Sequence, residues 1–240
     1  MTHKGTNVRT IAETPEMTRL FDVIIAWHAQ VPETIERISS VAIAAISADS
    51  RTLEAQMEKV VFDILNSTSK FAGAGIVSVH PTVLARSRSL LWWVTQRENG
   101  HVDPLPLDAD LTELGTYQAG LEDIEWYRVP AATGRPHMTG PFVDYMCTDQ
   151  FAFTFTVPLE ISGEFYGVAG IDMTVRSLEE QIESLLEDLS PDAILLSNTD
   201  LVAISLDPQF ATGSRLKSEQ LEAYDLTLVP GTLLSIAAPR

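Results

Sequence analysis

The chain has 240 residues, of which 45% are hydrophobic, and 33 acidic against 16 basic side chains give it a net charge of −17. Such an acidic surface repels phosphate backbones and anionic headgroups, so composition argues against binding to nucleic acids or membrane surfaces. One cysteine, Cys147, excludes an intrachain disulfide, and the absence of a secretory leader or a bilayer-length apolar run predicts a soluble cytoplasmic protein.

The first part of the chain is predicted to be helical. Apolar residues recur at helical spacing over residues 16–30, and Pro32 is predicted to end this helix. A second, long helix is predicted over residues 33–67, because apolar residues from Leu53 to Ile64 follow alternating steps of three and four. This long helix either packs within the subunit or forms the seam of a homodimer.

After Lys70 the pattern changes to that of strands. Residues 71–79 and 90–94 are rich in aliphatic and aromatic side chains, which predicts two strands. Residues 97–123 are polar and contain prolines, which predicts a loop with a short helix near residues 110–120. Two further strands, residues 151–159 and 165–173, are predicted to form a hairpin around a tight turn at Ser162-Gly163.

The remaining residues predict a helix and a smaller sheet. Residues 177–189 form an amphipathic pattern with Ser177 as the predicted N-cap, and Pro191 opens a shorter unit of strands with one short helix. The sequence therefore predicts an α+β fold with long N-terminal helices, an antiparallel sheet domain and a shorter second sheet module. The predicted domain boundaries are 1–32 for the N-terminal tail and helix, 33–190 for the long helix with the ligand-binding module, and 191–240 for the second module.

Aromatic and acidic residues concentrate between residues 126 and 174. Trp126 and Tyr127 open this stretch, predicted to alternate sides on a strand, and Asp172 ends the second strand of the hairpin. Aromatic faces and carboxylates at one end of a sheet are what a site for a small cation or amino compound needs. The pattern predicts a binding protein.

The search for catalytic, metal and cofactor motifs is negative. The five histidines are scattered and lack the spacing of metal ligands, and the chain has neither a nucleophile elbow nor a P-loop. Gly73-Ala74-Gly75 lacks the third glycine and the following helix of a dinucleotide fingerprint. No catalytic residue, metal or cofactor is predicted, and the protein is not expected to be an enzyme.

The order of several short motifs resembles the Cache superfamily, a group of PAS-like sensor domains for small molecules. The motifs are Trp126-Tyr127 with Ala131, Gly140-Pro141-Phe142-Val143-Asp144, and Gly167-Val168-Ala169-Gly170-Ile171-Asp172. Residues 73–93 are similar to members of the family without membrane anchors. The resemblance covers about residues 33–240, and it implies a sensor module followed by a shortened second module.

The resemblance also implies which residues bind the ligand. Carried over position by position, they are Trp126, Tyr127, Phe142, Asp144 and Asp172. Trp93, from the Trp92-Trp93 pair, is a further candidate for the wall of the site, with packing in the core as the alternative.

Two departures from the family pattern bear on the ligand. Amino-acid-binding members carry an arginine at the position of Ile124, which clamps the ligand carboxylate, and Phe142 replaces a tyrosine. Without the clamp and with both acids kept, the site is expected to favour an amine, a polyamine or an amino-acid-like compound. Arg128 and Arg135 are candidates for a substitute clamp.

The function expected from these features is that of a non-catalytic sensor. Ligand binding would reposition the long helix, and a separate transcription regulator or transporter would detect this movement; otherwise the chain is itself a soluble carrier. The first alternative is a carboxylate sensor that uses Arg128, Arg135 or His137. The second is a small enzyme that acts on amines and reuses the fold.

Overall fold

The protein is described from a computed structural model. The structure describes residues 14–48, 51–80, 83, 90–98, 101–107, 120–144 and 149–240. Their helices are α1 Pro15–His28, α2 Val31–Ser47, α3 Leu53–Ser67, α4 Glu125–Thr133, α5 Val175–Leu189 and α6 Ser218–Leu221, with a 3-10 helix at Leu121–Asp123. Their strands are β1 Phe71–Val77, β2 Leu90–Glu98, β3 His101–Pro106, β4 His137–Asp144, β5 Gln150–Ile161, β6 Glu164–Thr174, β7 Ile194–Ser197, β8 Val202–Ser205, β9 Tyr224–Leu228 and β10 Leu234–Pro239.

Strands β1 to β6 form one sheet with the order β3-β2-β1-β6-β5-β4. The pairs β1 with β2, β1 with β6, and β5 with β6 are antiparallel, and the tight turn between β5 and β6 lies at Ser162-Gly163, as the sequence predicts. Helices α2 and α3 contact each other and the central strands of this sheet. The buried side chains of these strands and helices form its core.

Strands β7 to β10 form a second, smaller sheet with the order β8-β7-β10-β9. Its core cluster includes Ile194, Val202 and Leu226, and the ring of Phe210 packs against it. Helix α1 contacts α5, and the indole Nε1 of Trp27 donates a hydrogen bond of 3.0 Å to the hydroxyl of Ser177.

The contacts divide the chain into two compact units. The first comprises Met1–Ala29, Gly140–Val143 and Val175–Arg240, and the second comprises Gln30–Thr139 and Asp144–Thr174. The predicted α+β class is confirmed, with helices followed by an antiparallel sheet domain and a shorter second sheet. The three-segment domain boundaries expected from the sequence stay a prediction. None of the helices in the described ranges has the length and apolar character needed to cross a membrane.

The single long helix predicted over residues 33–67 is wrong, because two helices, α2 and α3, occupy this range and contact each other. From Ser47 to Thr52 the sequence is polar apart from Ala48, so this segment offers little to bury in a core. The chain can therefore leave the helical path here without losing apolar contacts. A homodimer cannot form along a single helix over residues 33–67, because that helix is not present. Dimerisation itself stays a prediction.

Three smaller predictions also need correction. Pro32 does not end α1, which stops at His28; it lies in the first turn of α2, where a missing N–H is tolerated. The loop predicted from residue 97 contains the end of β2 and all of β3, an edge strand, where prolines are compatible with a sheet. Helix α5 begins at Val175, so Ser177 is not its cap. The helix predicted near residues 110–120 falls almost wholly outside the described residues.

Candidate functional site

The centre of the candidate site is a row of residues that runs across three neighbouring strands. Asp172 on β6 pairs with Thr154 on β5 and with Gly73 on β1, so these residues share one face of the sheet. The hydroxyl of Thr154 donates a hydrogen bond of 2.5 Å to Oδ1 of Asp172. Both side chains are 6% exposed, so the carboxyl group lies away from bulk water.

The surroundings of Asp172 disfavour its charged form. Burial, reinforced by the negative charge of Asp144, raises the pKa of the Asp172 carboxyl from its usual 3.8 to about 8. The hydroxyl of Thr154 and the nearby indole N–H of Trp92 act in the opposite direction. Asp144 is also buried, at 7% exposure. Among the described residues, no Lys, Arg or His forms an ion pair with Asp172, so no cationic side chain in this part of the protein offsets the rise in its pKa.

The indole of Trp92 lies across the sheet beside this carboxyl group. Trp92 pairs with Gly75, and Cβ atoms placed on Gly73 and Gly170 would lie 2.6 Å from its Nε1 and 3.0 Å from its Cη2. The glycines therefore leave the space that the flat indole occupies, and any side chain there would displace it. The Nε1 atom approaches Asp172 without forming a hydrogen bond of acceptable geometry.

The predicted wall residue, Trp93, lies on the other face. Trp93 pairs with Ala74, which in turn pairs with Ile171, and consecutive residues of a strand project to opposite sides. The structure therefore places Trp92, and not Trp93, on the face that carries Asp172. Trp93 is 3% exposed and has the position of a core residue, which was the alternative considered for it.

Trp126 and Tyr127 lie on helix α4, so their predicted placement on a strand is wrong. Pro130 inside α4 cannot donate a backbone hydrogen bond to the carbonyl of Trp126, and the Thr156 hydroxyl donates to it instead, at 2.8 Å. The side chain of Thr156 is on the same face of the sheet as Asp172, two positions along β5 from Thr154. This hydrogen bond therefore holds α4 against the face of the sheet that carries Asp172, which we call the Asp172 face.

The aromatic rings of α4 form a cluster on this face. Tyr127 is buried, and its ring meets those of Trp126 and Phe165 edge to face, at centroid distances of 6.2 and 5.5 Å. Trp92 belongs to the same apolar cluster, against which the half-buried Trp126 and Phe165 pack. An apolar aromatic cluster therefore lies on the same sheet face as the carboxyl group of Asp172.

The other predicted site residues differ in placement. Phe142 is half-buried in β4, in the segment that groups with the first unit, and its ligand role stays a prediction. Arg128 and Arg135 are exposed, so neither has the burial of a carboxylate clamp inside the site. His137, considered for the alternative carboxylate site, has its Nε2 atom 2.9 Å from Oε1 of Glu125.

Sequence reasoning missed three residues that the structure adds to the site, namely Thr154, Thr156 and Phe165. It considered one indole of the Trp92-Trp93 pair and selected Trp93, whereas Trp92 is the one on the Asp172 face. The alternation of Phe and Thr along β5 could have indicated the two threonines, since it places them together on one face of the strand. Within the described residues, no group of three or more His, Cys, Asp or Glu side chains is arranged to hold a metal ion. The site's polar chemistry therefore comes from carboxyl, hydroxyl and indole groups.

Comparison with known proteins gives a likeness in fold at low sequence identity. No family model matches the chain. A segment of 95 residues, 39% of the chain, is 24% identical to the methyl-accepting chemotaxis protein TlpQ of Pseudomonas aeruginosa and covers 13% of that protein's length. The chain thus corresponds to a small part of this curated relative.

Solved structures match over nearly the whole chain. The extracellular domain assigned to the histidine kinase mmHK1S-Z2 has a TM-score of 0.62 at 15% identity, with 92% of this chain and 95% of that chain covered. The ligand-binding domain of the Pseudomonas aeruginosa amino acid chemoreceptor PctC, in complex with GABA, has a TM-score of 0.53 at 18% identity, with 92% and 95% covered. The chain therefore shares its fold with these two domains.

Proposed function

We propose that this chain is a non-catalytic sensor domain that binds a small organic ammonium compound on the Asp172 face of the larger sheet. The observation that carries the proposal is the buried carboxyl group of Asp172, which lies beside the charge of Asp144 and forms no ion pair with a described cationic side chain. A bound ammonium would supply the missing positive charge.

Electrostatics favours a cation over other ligands. Two buried acids disfavour each other's ionisation, and an ammonium group beside them would restore the charged form of Asp172 and donate hydrogen bonds to it. A charge-assisted hydrogen bond contributes about 1.5–3 kcal/mol. A cation against an aromatic face adds about 0.5–2 kcal/mol, and the rings of Trp92 and Trp126 belong to the same cluster.

The likenesses in fold support a sensing role. The TlpQ and PctC proteins are chemoreceptors, and the PctC domain was solved with GABA, which carries an amino group. By analogy, this chain would pass the state of its site to a partner that produces the response, and a transcription regulator or a transporter remains our prediction for that partner. The predicted cytoplasmic location has no support from these likenesses, since the mmHK1S-Z2 structure is an extracellular domain.

The test is calorimetric titration of the purified protein with alkylamines, polyamines, amino acids and short carboxylates. Binding of amines, and its loss in Asp172→Asn, is the expected result. The loss should be about 2–5 kcal/mol, because the substitution removes the buried charge that pairs with the ligand. The substituted protein should fold, since the asparagine amide has nearly the shape of the carboxyl group and burial disfavours a charge at this position.

Asp188→Asn is the matched control, because the same chemical change is made at an exposed position on α5 and should leave the affinity unchanged. Binding of carboxylates alone would contradict the proposal and favour the alternative that uses Arg128 or Arg135. Amine binding that survives Asp172→Asn would contradict the assignment of the site. Product formation from a bound amine would favour the enzyme alternative.

A further inference from the structure

The indole N–H of Trp92 is a buried hydrogen-bond donor at the centre of the proposed site. The side chain is 6% exposed, and among the described residues its Nε1 atom has no hydrogen-bond partner. A Cβ atom on Gly73 would lie 2.6 Å from this Nε1 and 3.1 Å from Oδ2 of Asp172. The indole donor and the carboxyl group therefore both lie next to Gly73.

A donor left without a partner in a protein interior is uncommon, because its lost hydration is not replaced. Packing alone does not require a donor here, since a phenylalanine at position 92 would also present a flat aromatic ring. Gly73 and Gly170 leave room for the indole in its present orientation, with its N–H end toward Asp172. The N–H is directed toward the Asp172 carboxyl group without forming a hydrogen bond of acceptable geometry with it, and an acceptor supplied by the ligand would provide the missing partner.

We propose that the ligand is an ammonium compound with a neutral hydrogen-bond acceptor two carbon atoms from its nitrogen, such as a 1,2-amino alcohol or an α-amino amide. The ammonium group donates to Asp172, and Nε1 of Trp92 donates to the hydroxyl or carbonyl oxygen of the ligand. This inference rests on the proposed function, to which it adds a second polar contact. It makes Trp92 the residue that distinguishes such compounds from plain alkylamines.

The charge of the site favours a neutral acceptor over a carboxylate. Asp144 and Asp172 are both buried, and a ligand carboxylate beside them would be repelled at low effective dielectric constant. A carboxylate is normally held by a buried arginine, whereas Arg128 and Arg135 are exposed. An α-amino acid should therefore bind less tightly than its amide.

The first experiment compares four probes on the unmodified protein by calorimetric titration at neutral pH. The probes are ethylamine, ethanolamine, glycinamide and glycine. Ethanolamine and glycinamide should bind about fivefold to tenfold more tightly than ethylamine, which is the effect of one additional hydrogen bond. Glycine should bind less tightly than glycinamide.

The second experiment uses Trp92→Phe, which keeps an aromatic ring and removes the donor. Ethanolamine should lose its advantage over ethylamine, whereas a purely structural role of Trp92 would weaken both ligands equally. Trp93→Phe is the matched control, because it makes the same change on the opposite face of β2 and should preserve the ratio of the two affinities. The affinity ratio is independent of any general loss of stability.

A third measurement uses the unmodified protein and therefore does not require that any variant folds. In a spectrum of the indole N–H groups, the Trp92 resonance should move when ethanolamine is added and stay almost unchanged with ethylamine. Equal affinities for ethanolamine and ethylamine in the unmodified protein would overturn this inference and leave the proposed function standing. Failure of all four probes to bind would overturn both.

Discussion

The two faces of the larger sheet are built from the same strands, yet they differ in chemistry. One face carries Asp172, Thr154 and Trp92, and the aromatic residues of α4 lie on it. The other carries Phe153 and Ile171, which are fully buried apolar side chains. Helix α4 contacts β5 and β6, and helices α2 and α3 contact the central strands of the same sheet.

This difference follows from the alternation of side chains along each strand. In β6, Asp172 projects to one face while its neighbours Ile171 and Met173 project to the other. One strand can therefore contribute to the stability of the fold on one side and to ligand chemistry on the other. Substitutions on the two faces should have separable effects, which the following predictions test.

The largest effect is expected for Phe153→Ala, on the apolar face. Removal of this fully buried ring should lower the free energy of unfolding by about 3–5 kcal/mol, because it leaves a cavity as well as removing buried surface. Amine affinity of the folded protein should be unchanged. Urea denaturation measures the first quantity and calorimetric titration below the unfolding transition measures the second. A parallel loss of affinity would show that the two faces are not independent.

An intermediate effect is expected when the free energy of unfolding of the ligand-free protein is measured as a function of pH. The pKa of Asp172 is about 8 in the folded protein against 3.8 ordinarily, so between these pH values the folded state binds more protons than the unfolded state. The free energy of unfolding contributed by this group should therefore fall as the pH rises through this window. Between pH 5 and pH 8 the fall should be about 3–4 kcal/mol, since each pH unit well inside this window contributes about 1.4 kcal/mol.

Asp172→Asn provides the comparison for this prediction, because it lacks the titrating group and keeps all others. The difference in unfolding free energy between the two proteins, measured by urea denaturation at each pH, isolates the contribution of Asp172. The variant should gain relative stability as the pH rises. A difference that is constant between pH 5 and pH 8 would mean that Asp172 is ionised throughout this range.

The smallest effect is expected for Thr154→Val. The Thr154 hydroxyl donates to Asp172 and stabilises the carboxylate, so its removal should weaken amine binding by about 1 kcal/mol and raise the pKa of Asp172 further. Thr154→Ser keeps the hydroxyl and should restore the affinity. If the serine variant binds as weakly as the valine variant, the methyl group and not the hydrogen bond is what matters.

Local patterns predicted most of the elements and the fold class. The hairpin of β5 and β6 follows from alternating apolar residues around Ser162-Gly163, where both turn residues have positive φ angles. Helix α4 could not be predicted in the same way, because Pro130 is a signal against a helix interior. The Thr156 hydroxyl that compensates for the lost backbone donor is distant in sequence, so only the folded chain reveals it.

The residue of β5 that pairs with Asp172 also could not be predicted from local sequence patterns. A regular hairpin around Ser162-Gly163 would pair Asp172 with Phe153, whereas the structure pairs it with Thr154 because a bulge near the turn shifts the register by one residue. A shift of one residue exchanges the two faces of a strand. Without the bulge, the phenylalanine face of β5, and not its threonine face, would lie beside the carboxyl group.

The sequence by itself determined the α+β class, the strands of the hairpin and the presence of acids and aromatic rings in the region of the site, because these depend on local periodicity and composition. The tertiary structure decided that Trp92, and not Trp93, lies beside Asp172, that Thr154 donates to this acid, and that α4 is a helix. Each of these depends on strand register or on hydrogen bonds between distant residues, which local patterns do not encode.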